Sequence, residues 1–445
     1  MRVHLIGIGG IGVSALAKYY LEKGYKVSGS DLVSSEITEA LKDKGVKIFI
    51  GPHKPQCLTS DVKQVIYSPA VPENNPELKK AKKLGIKCKS YPQALGELTK
   101  KHWTIAISGT HGKGTTTAMI SLILIKAGLD PTVIIGTKLR EFEDSNCRVG
   151  KSKYLVIEAD EWKAAFLNYW PKIIILTNIE REHMDYFKDL NHILKTYQEY
   201  ILHLPKNGIL IANKDDKNIP KLLKISTIVK NISCYSLQQK EAKRLERILK
   251  IPGEHNVSNA LAALTVARIL KIPDEISFEA LSEYKGAWRR FEIKQSTINN
   301  QQLTIISDYA HHPTEIKVTL KAARERFSGR KIWVVFQPHQ YQRTYYLFKE
   351  FVKVFNEALQ KGESESPLID KVIITDIYDV AGREEKKIKE KINSEKLIKA
   401  IKSPKALYIS TFEEVAEYLK KNLLGEEVVV IMGAGSIYKL VDFLG

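Results

Sequence analysis

WTIAISGTHGKGTTTAMISLILIKAG (residues 103–128) decides how the rest of this chain is read. An apolar, β-branched run ends in a glycine turn, and a helix-forming segment follows until Gly128 stops it. A strand that feeds a glycine loop at a helix N-terminus offers an anion backbone N–H groups and the positive end of the helix dipole. Lys113 adds a cation for phosphate oxygens. The loop Gly109-Thr110-His111-Gly112-Lys113 is shorter than the usual phosphate loop, because Ile107 stands where a first glycine is expected. Gly114 then occupies the place of a magnesium-binding serine or threonine. Thr115 carries a hydroxyl, but one helical step turns a side chain by about 100°, so it is no simple substitute.

Working outward, the same strand–turn–helix rhythm repeats on both sides. MRVHLIGIGGIGVSALAKYYLEKGYKVSGSD (1–31) reads as strand, glycine turn, helix and strand, and VKQVIYSPAV (62–71) as a further buried strand. KYLVIEAD (153–160), KIIILTNI (172–179) and NGILIAN (207–213) extend the middle region, and HNVSNALAALTVARILK (255–271) reads as a helix. QLTIISDYAHHPTE (302–315) opens a third region, in which KIWVVFQP, DKVIITDIY and EEVVVIMGAG alternate with lysine-rich helices. A chain of 445 residues exceeds one hydrophobic core. The expectation is an α/β protein of three consecutive domains: a Rossmann-like domain over 1–97, a central P-loop-type ATPase domain over 98–292 and a Rossmann-like α/β domain over 293–445.

Composition narrows the classes. Charged residues make up 27% and hydrophobic residues 44%, the balance of a soluble globular protein, and no apolar run is long enough to span a bilayer. The N-terminus lacks a secretory signal, and the four cysteines form no CxxC pair, so a reducing cytoplasm is expected. The net charge of +18 comes without a nucleic-acid-binding motif, and lysines interleave with glutamates in GREEKKIKEKINSEK (382–396), read as a solvated helix face. The excess suits polyanionic small substrates better than nucleic acid.

Two further constellations carry chemistry. Gly7-x-Gly9-x-x-Gly12 between a strand and a helix, with Asp31 closing the next strand, suits a pyrophosphate; alone it also fits a nicotinamide cofactor. Glu158-Ala159-Asp160-Glu161 and the run Asn178–Asp185 follow buried strands and gather carboxylates and an imidazole that could hold magnesium. The pair His311-His312 reads equally as a metal site or as packing, and no third ligand accompanies it at metal spacing.

Taken in order, GIGGIG with GSD, GTHGK, EADE, TNIEREHMD, PGEHNVSNA, RRFE, DYAHHPTE, FQPHQYQRT and GAGSI resemble the Mur ligase family from residue 4 to residue 437. HLIGIGGIG, GTHGK, DYAHHPTE and FQPH are most like the members that add L-alanine to UDP-N-acetylmuramic acid. The resemblance implies an ATP- and Mg2+-dependent ligase acting as a monomer or homodimer. ATP phosphorylates the lactyl carboxylate, the amine of L-alanine attacks the acyl phosphate, and a tetrahedral intermediate expels phosphate. It implies catalytic roles for Lys113, Glu158 and His183: Lys113 holds the γ-phosphate, and Glu158 and His183 bind magnesium together with the Thr115 hydroxyl. Gly109, Thr110, His111, Gly112, Thr115 and Thr116 surround the ATP phosphates, Asn256 and Asn259 meet the adenine, and Arg290 and Asp308 reach the nucleotide. Gly9, Gly10, Gly12 and Asp31 cradle the uridine diphosphate. His312, His339 and Arg343 face the muramyl carboxylate and the amino acid.

This chain departs from the family pattern at Gly114 and at Gln340, where an arginine is expected. Two alternatives therefore stay open here: the related ligase that recycles whole muropeptides, and a UDP-sugar binder weakened at Gly114.

Overall fold

A computed structural model describes residues 1–225, 229–298, 301–360, 366–380 and 385–444. Three sheets follow one another along the chain. The first is wholly parallel and contains β1 (Arg2–Ile6), β2 (Lys26–Asp31), β3 (Lys47–Ile50), β4 (Val62–Tyr67) and β5 (Lys87–Ser90), in the order β3-β2-β1-β4-β5. The second contains β6 (Trp103–Ser108), β7 (Thr132–Leu139), β8 (Ser145–Arg148), β9 (Tyr154–Glu158), β10 (Ile173–Leu176), β11 (Ile209–Asn213) and β12 (Ile232–Tyr235). Its order is β12-β11-β10-β6-β9-β7-β8, parallel except for β8. The third contains β13 (Glu292–Ile298), β14 (Gln301–Asp308), β15 (Ile332–Phe336), β16 (Lys371–Ile374), β17 (Ala406–Tyr408) and β18 (Val428–Met432), ordered β13-β14-β18-β15-β16-β17, with only β13 antiparallel.

Strands covered on both faces must be apolar at successive positions, and Ile173 to Leu176 are all fully buried. The topology then places the loops. Strand order reverses at β1 and at β6, so the glycine loop after each strand opens at the edge where a parallel sheet leaves a crevice. β9 and β10 flank β6, which brings Glu158 and the residues after Leu176 beside the Lys113 loop.

The chain packs as two bodies. One comprises Met1–Glu180, Leu190–Leu245 and Ser258–Glu283, and the other Arg181–Asp189, Glu246–Val257 and the chain from Tyr284 onward. Within the first body the two sheets are joined by polar contacts: Asn146 Nδ2 donates to Ser14 Oγ (2.9 Å), and Lys18 Nζ donates to Asn146 Oδ1 (2.8 Å). Helices Lys113–Lys126 and Glu254–Ile269 match the expected ones closely. The run 382–396 does not form one solvated helix. Its first three residues lie outside the described residues, Lys386–Lys389 is a single helical turn, and Asn393 caps a separate helix, Ser394–Ala400, by accepting from Lys396 N (2.9 Å). Ile388 and Ile392 are buried, so apolar packing breaks the run.

Candidate functional site

The Lys113 loop is built against the ends of β9 and β10. Gly109 has φ 136°, and a Cβ there would stand 2.1 Å from Thr177 Oγ1, so only glycine fits. Thr110 N donates to Asn178 O (3.0 Å), His111 N donates to Asn178 Oδ1 (2.8 Å), and Glu180 N donates to Thr110 Oγ1 (2.8 Å). Gly112 caps the helix that starts at Lys113. Thr116 Oγ1 donates to Asn259 Oδ1 (3.2 Å), which pins the loop to the helix Glu254–Ile269, and Thr115 is buried beside it.

Lys113 does not wait in solvent. Its ammonium donates to Gly109 O (2.7 Å) and Glu161 Oε2 (2.9 Å), with Asp160 Oδ1 at 3.7 Å. Burial opposes its charge, but the charges of Glu161, Asp160 and Glu158 overcome this and hold it protonated above the usual lysine range. Glu158 Oε1 accepts from Gly136 N (2.7 Å) and lies 3.1 Å from where a Cβ on Gly114 would stand. A fixed carboxylate beside a phosphate loop is a hard oxygen donor that fits Mg2+.

At the first glycine loop, Gly7 N and Ile8 N donate to Ser30 O (2.8 and 3.1 Å), and Gly10 N donates to Gly7 O (3.1 Å). Asp31 Oδ2 accepts from Gly9 N (2.8 Å), so this acid braces the loop itself. A Cβ on Gly12 would meet Tyr91 Cζ at 2.7 Å, which keeps the position small where the helix Ile11–Glu22 meets that ring.

The second body carries a separate cluster. Arg343 Nε and Nη2 donate to Glu182 Oε1 (3.0 and 2.7 Å), and Nη1 donates to His339 Nδ1 (2.9 Å). Both members of this ion pair are buried. Burial works against the Glu182 carboxylate, yet Arg343 first, and then His183, His312 and His311, hold it well below the usual range. His339 stacks on Tyr378 with centroids 5.4 Å apart. Burial lowers His311 to about 4, which leaves its imidazole neutral at pH 7. Gln340 is buried with φ 73°, and its Nε2 has no hydrogen-bond partner among the described residues.

The residues expected at the site are thus distributed unevenly. Lys113, Glu158, Thr115, Thr116 and Asn259 come together in the first body. His183, with φ 55° and its N–H on Glu182 Oε1 (3.1 Å), belongs to the second body with Arg343. Asn256 also belongs there, and its Nδ2 donates to Pro252 O (2.6 Å). His312 Nδ1 accepts from Thr314 N (3.2 Å) and caps the helix Pro313–Arg326. The Asp308 carboxylate accepts from Phe291 N (2.7 Å) and Ala310 N (2.8 Å), bracing the segment that carries Arg290. Arg290 lies over the Tyr309 ring at 4.8 Å. Glu161 and Glu182, named in the sequence only as members of acid-rich runs, are the counterions of Lys113 and Arg343.

Family models match the chain in three stretches: "Mur ligase family, catalytic domain" over 2–103, "Mur ligase middle domain" over 107–267, and "Mur ligase, glutamate ligase domain" over 289–435. The chain belongs to the Mur ligase family. It is 42% identical to a UDP-N-acetylmuramate–L-alanine ligase of Acetivibrio thermocellus, over 99% of this chain and 94% of that protein. It is 39% identical to one of Clostridium kluyveri, over 99% and 96%. The crystal structure of the UDP-N-acetylmuramate–alanine ligase of Thermotoga maritima superposes with a TM-score of 0.79 at 28% identity, covering 100% of this chain and 98% of that one. A murein peptide ligase of Psychrobacter arcticus shares the Mur ligase fold, with a TM-score of 0.72 at 23% identity over 100% and 98%. Among the described residues no helix is long and apolar enough to cross a membrane.

Proposed function

We propose that this chain joins L-alanine to the lactyl carboxylate of UDP-N-acetylmuramic acid using ATP, the first amino-acid addition to a peptidoglycan precursor. The observation that carries the reading is the likeness to L-alanine ligases over nearly the whole chain, at 42% identity. The three-domain division at 1–97, 98–292 and 293–445 is part of the proposal. So are the assignments of Lys113 to the γ-phosphate, of Asn256, Asn259, Arg290 and Asp308 to the nucleotide, and of His312, His339 and Arg343 to the acceptor carboxylate and amino acid.

A carboxylate is a poor electrophile in water, so phosphorylation supplies the leaving group. The protein positions the reactants and neutralises charge on the transferring group. Lys113 reaches the phosphate oxygens by leaving Glu161, and the loop amides hold the rest. Glu158, His183 and the Thr115 hydroxyl are the residues that would hold magnesium; the metal, when bound, would screen the phosphate charge. Arg343 and its donors on the second body hold a carboxylate oriented for attack. The test is phosphate release with ATP and Mg2+, with and without each co-substrate. Release that needs both UDP-N-acetylmuramic acid and L-alanine supports the reading, and release with L-alanine alone, or none with both present, refutes it.

Gly114 yields a separate expectation. A threonine there places a hydroxyl beside Glu158, whose Oε1 must give way by a few tenths of an ångström from the 3.1 Å contact. Gly114→Thr is expected to lower the half-saturating Mg2+ concentration about five-fold, the scale of one added polar contact. Gly114→Ala supplies the Cβ without the hydroxyl and should leave that concentration unchanged or raise it. Titration of initial rates against Mg2+ decides, and an unchanged value for Gly114→Thr shows that the loop has adapted to glycine.

A further inference from the structure

Beside the first glycine loop lies a buried acid that none of the assignments above uses. Glu77 is fully buried in the first turn of the helix Pro76–Lys83, and its N–H is capped by Asn75 Oδ1 (2.9 Å). A buried carboxylate is costly unless hydrogen bonds satisfy it. Here each oxygen has an imidazole: His4 Nε2 lies 2.7 Å from Oε2, and His53 Nδ1 lies 2.8 Å from Oε1. His4 is fully buried on β1, and its Nδ1 is 3.0 Å from Ser28 Oγ on β2. Both ring nitrogens of His4 thus have polar partners, Glu77 and the Ser28 hydroxyl. Burial works against the Glu77 charge, but hydrogen bonds from His4, Ser30 and His53 hold its carboxyl below the usual glutamate value.

The outer imidazole connects this pair to the loop. His53 Nδ1 is also 3.1 Å from Ser30 Oγ. The carbonyl of Ser30 accepts Gly7 N (2.8 Å) and Ile8 N (3.1 Å), and the next residue, Asp31, accepts Gly9 N (2.8 Å). The inner wall of the loop is therefore hung on residues 30 and 31, and Glu77 with His53 fixes residue 30 from behind. We propose that Glu77 and His53 are positioning residues for the sugar-nucleotide diphosphate: by holding Ser30 they set the direction of the first free amides of the helix Ile11–Glu22. The inference rests on reading this loop as the UDP-sugar site.

The test uses the full-length enzyme and UDP-N-acetylmuramic acid itself. His53→Leu removes the donor, whereas His53→Asn retains an N–H close to the Nδ1 position. Small misplacements of binding groups change affinity steeply. His53→Leu is expected to raise the KM for UDP-N-acetylmuramic acid about ten-fold, with kcat and the KM values for ATP and L-alanine within about two-fold of wild type. His53→Asn is expected to restore most of that loss. Glu77→Gln should act in the same direction as His53→Leu, with the thermal transition of each variant recorded alongside. Equal changes in all three KM values, or no rescue by asparagine, would show that the pair only supports the fold and would overturn the inference. Calorimetric titration without ATP separates the two levels. If wild type binds and His53→Leu binds equally well, the positioning role is wrong. If wild type fails to bind UDP-N-acetylmuramic acid, the reading of the site falls and the inference falls with it.

Discussion

Lys113→Met is expected to cut ATP-dependent phosphate release by about a thousand-fold while leaving UDP-N-acetylmuramic acid binding within about two-fold of wild type. One preorganised donor aimed at developing charge is worth about 10²–10³ in kcat, and Lys113 is a full cation whose charge is secured by Glu161, Asp160 and Glu158. Methionine keeps the apolar stem and removes only the ammonium. The substitution also takes the ammonium away from Glu161, which is 2% exposed and accepts from Lys113 Nζ at 2.9 Å. Breaking a buried ion pair by removing one member costs about 3–5 kcal/mol, so a loss of activity alone would be ambiguous. The double variant Lys113→Met/Glu161→Gln resolves it. Thermal stability should recover towards wild type while phosphate release stays lost. Recovery of activity in the double variant would mean that Lys113 matters only for the fold.

Arg343→Ala is the second large effect. The guanidinium spends three donors on Glu182 Oε1 and His339 Nδ1, and Glu182 Oε2 has no hydrogen-bond partner among the described residues. Removing Arg343 leaves a buried carboxylate with its main compensation gone, again about 3–5 kcal/mol. Lysine should not rescue it, because a single ammonium cannot reproduce the fork on Glu182 and His339. Turnover should fall at least about a hundred-fold in both variants, with the loss concentrated in the step that requires L-alanine. A signature in pH distinguishes this pair from generic packing. The folded-state pKa of Glu182 is depressed, so its stabilisation is complete above the unfolded value of about 4.3 and is lost as pH falls through the lower folded value. Below about pH 4 wild type should lose stability more steeply than Arg343→Ala, and parallel curves from thermal melts across that window would refute the assignment.

The fold was legible because the strands of three parallel-rich sheets are runs such as IIIL at β10 and VVVIM at β18, each followed by punctuating residues that mark where a loop opens. Both glycine loops sit at positions where strand order reverses, as the strand–turn–helix reading requires. What stayed hidden were the counterions. Glu161 and Glu182 stand in acid-rich stretches, and nothing in their spacing tells which carboxylate turns inward to meet Lys113 or Arg343. Asp31 is expected to meet the uridine diphosphate, and nothing in the sequence shows that its Oδ2 also accepts from Gly9 N, a contact made by the local turn. His312 was more readable than it looked. Pro313 follows it and Glu315 returns a carboxylate to its N–H (3.2 Å), the arrangement of a helix start with an imidazole in place of the usual hydroxyl. The buried Glu77 was invisible because its partners lie 73 and 24 residues away.

The most direct measurement starts from UDP-N-acetylmuramic acid labelled with 18O in its lactyl carboxylate, incubated with the enzyme, ATP, Mg2+ and L-alanine. If the carboxylate is activated as an acyl phosphate, each turnover transfers one of its oxygens, so one 18O appears in the released phosphate and the product gains L-alanine by mass. Phosphate released without label, or no L-alanine-bearing product, would contradict the account.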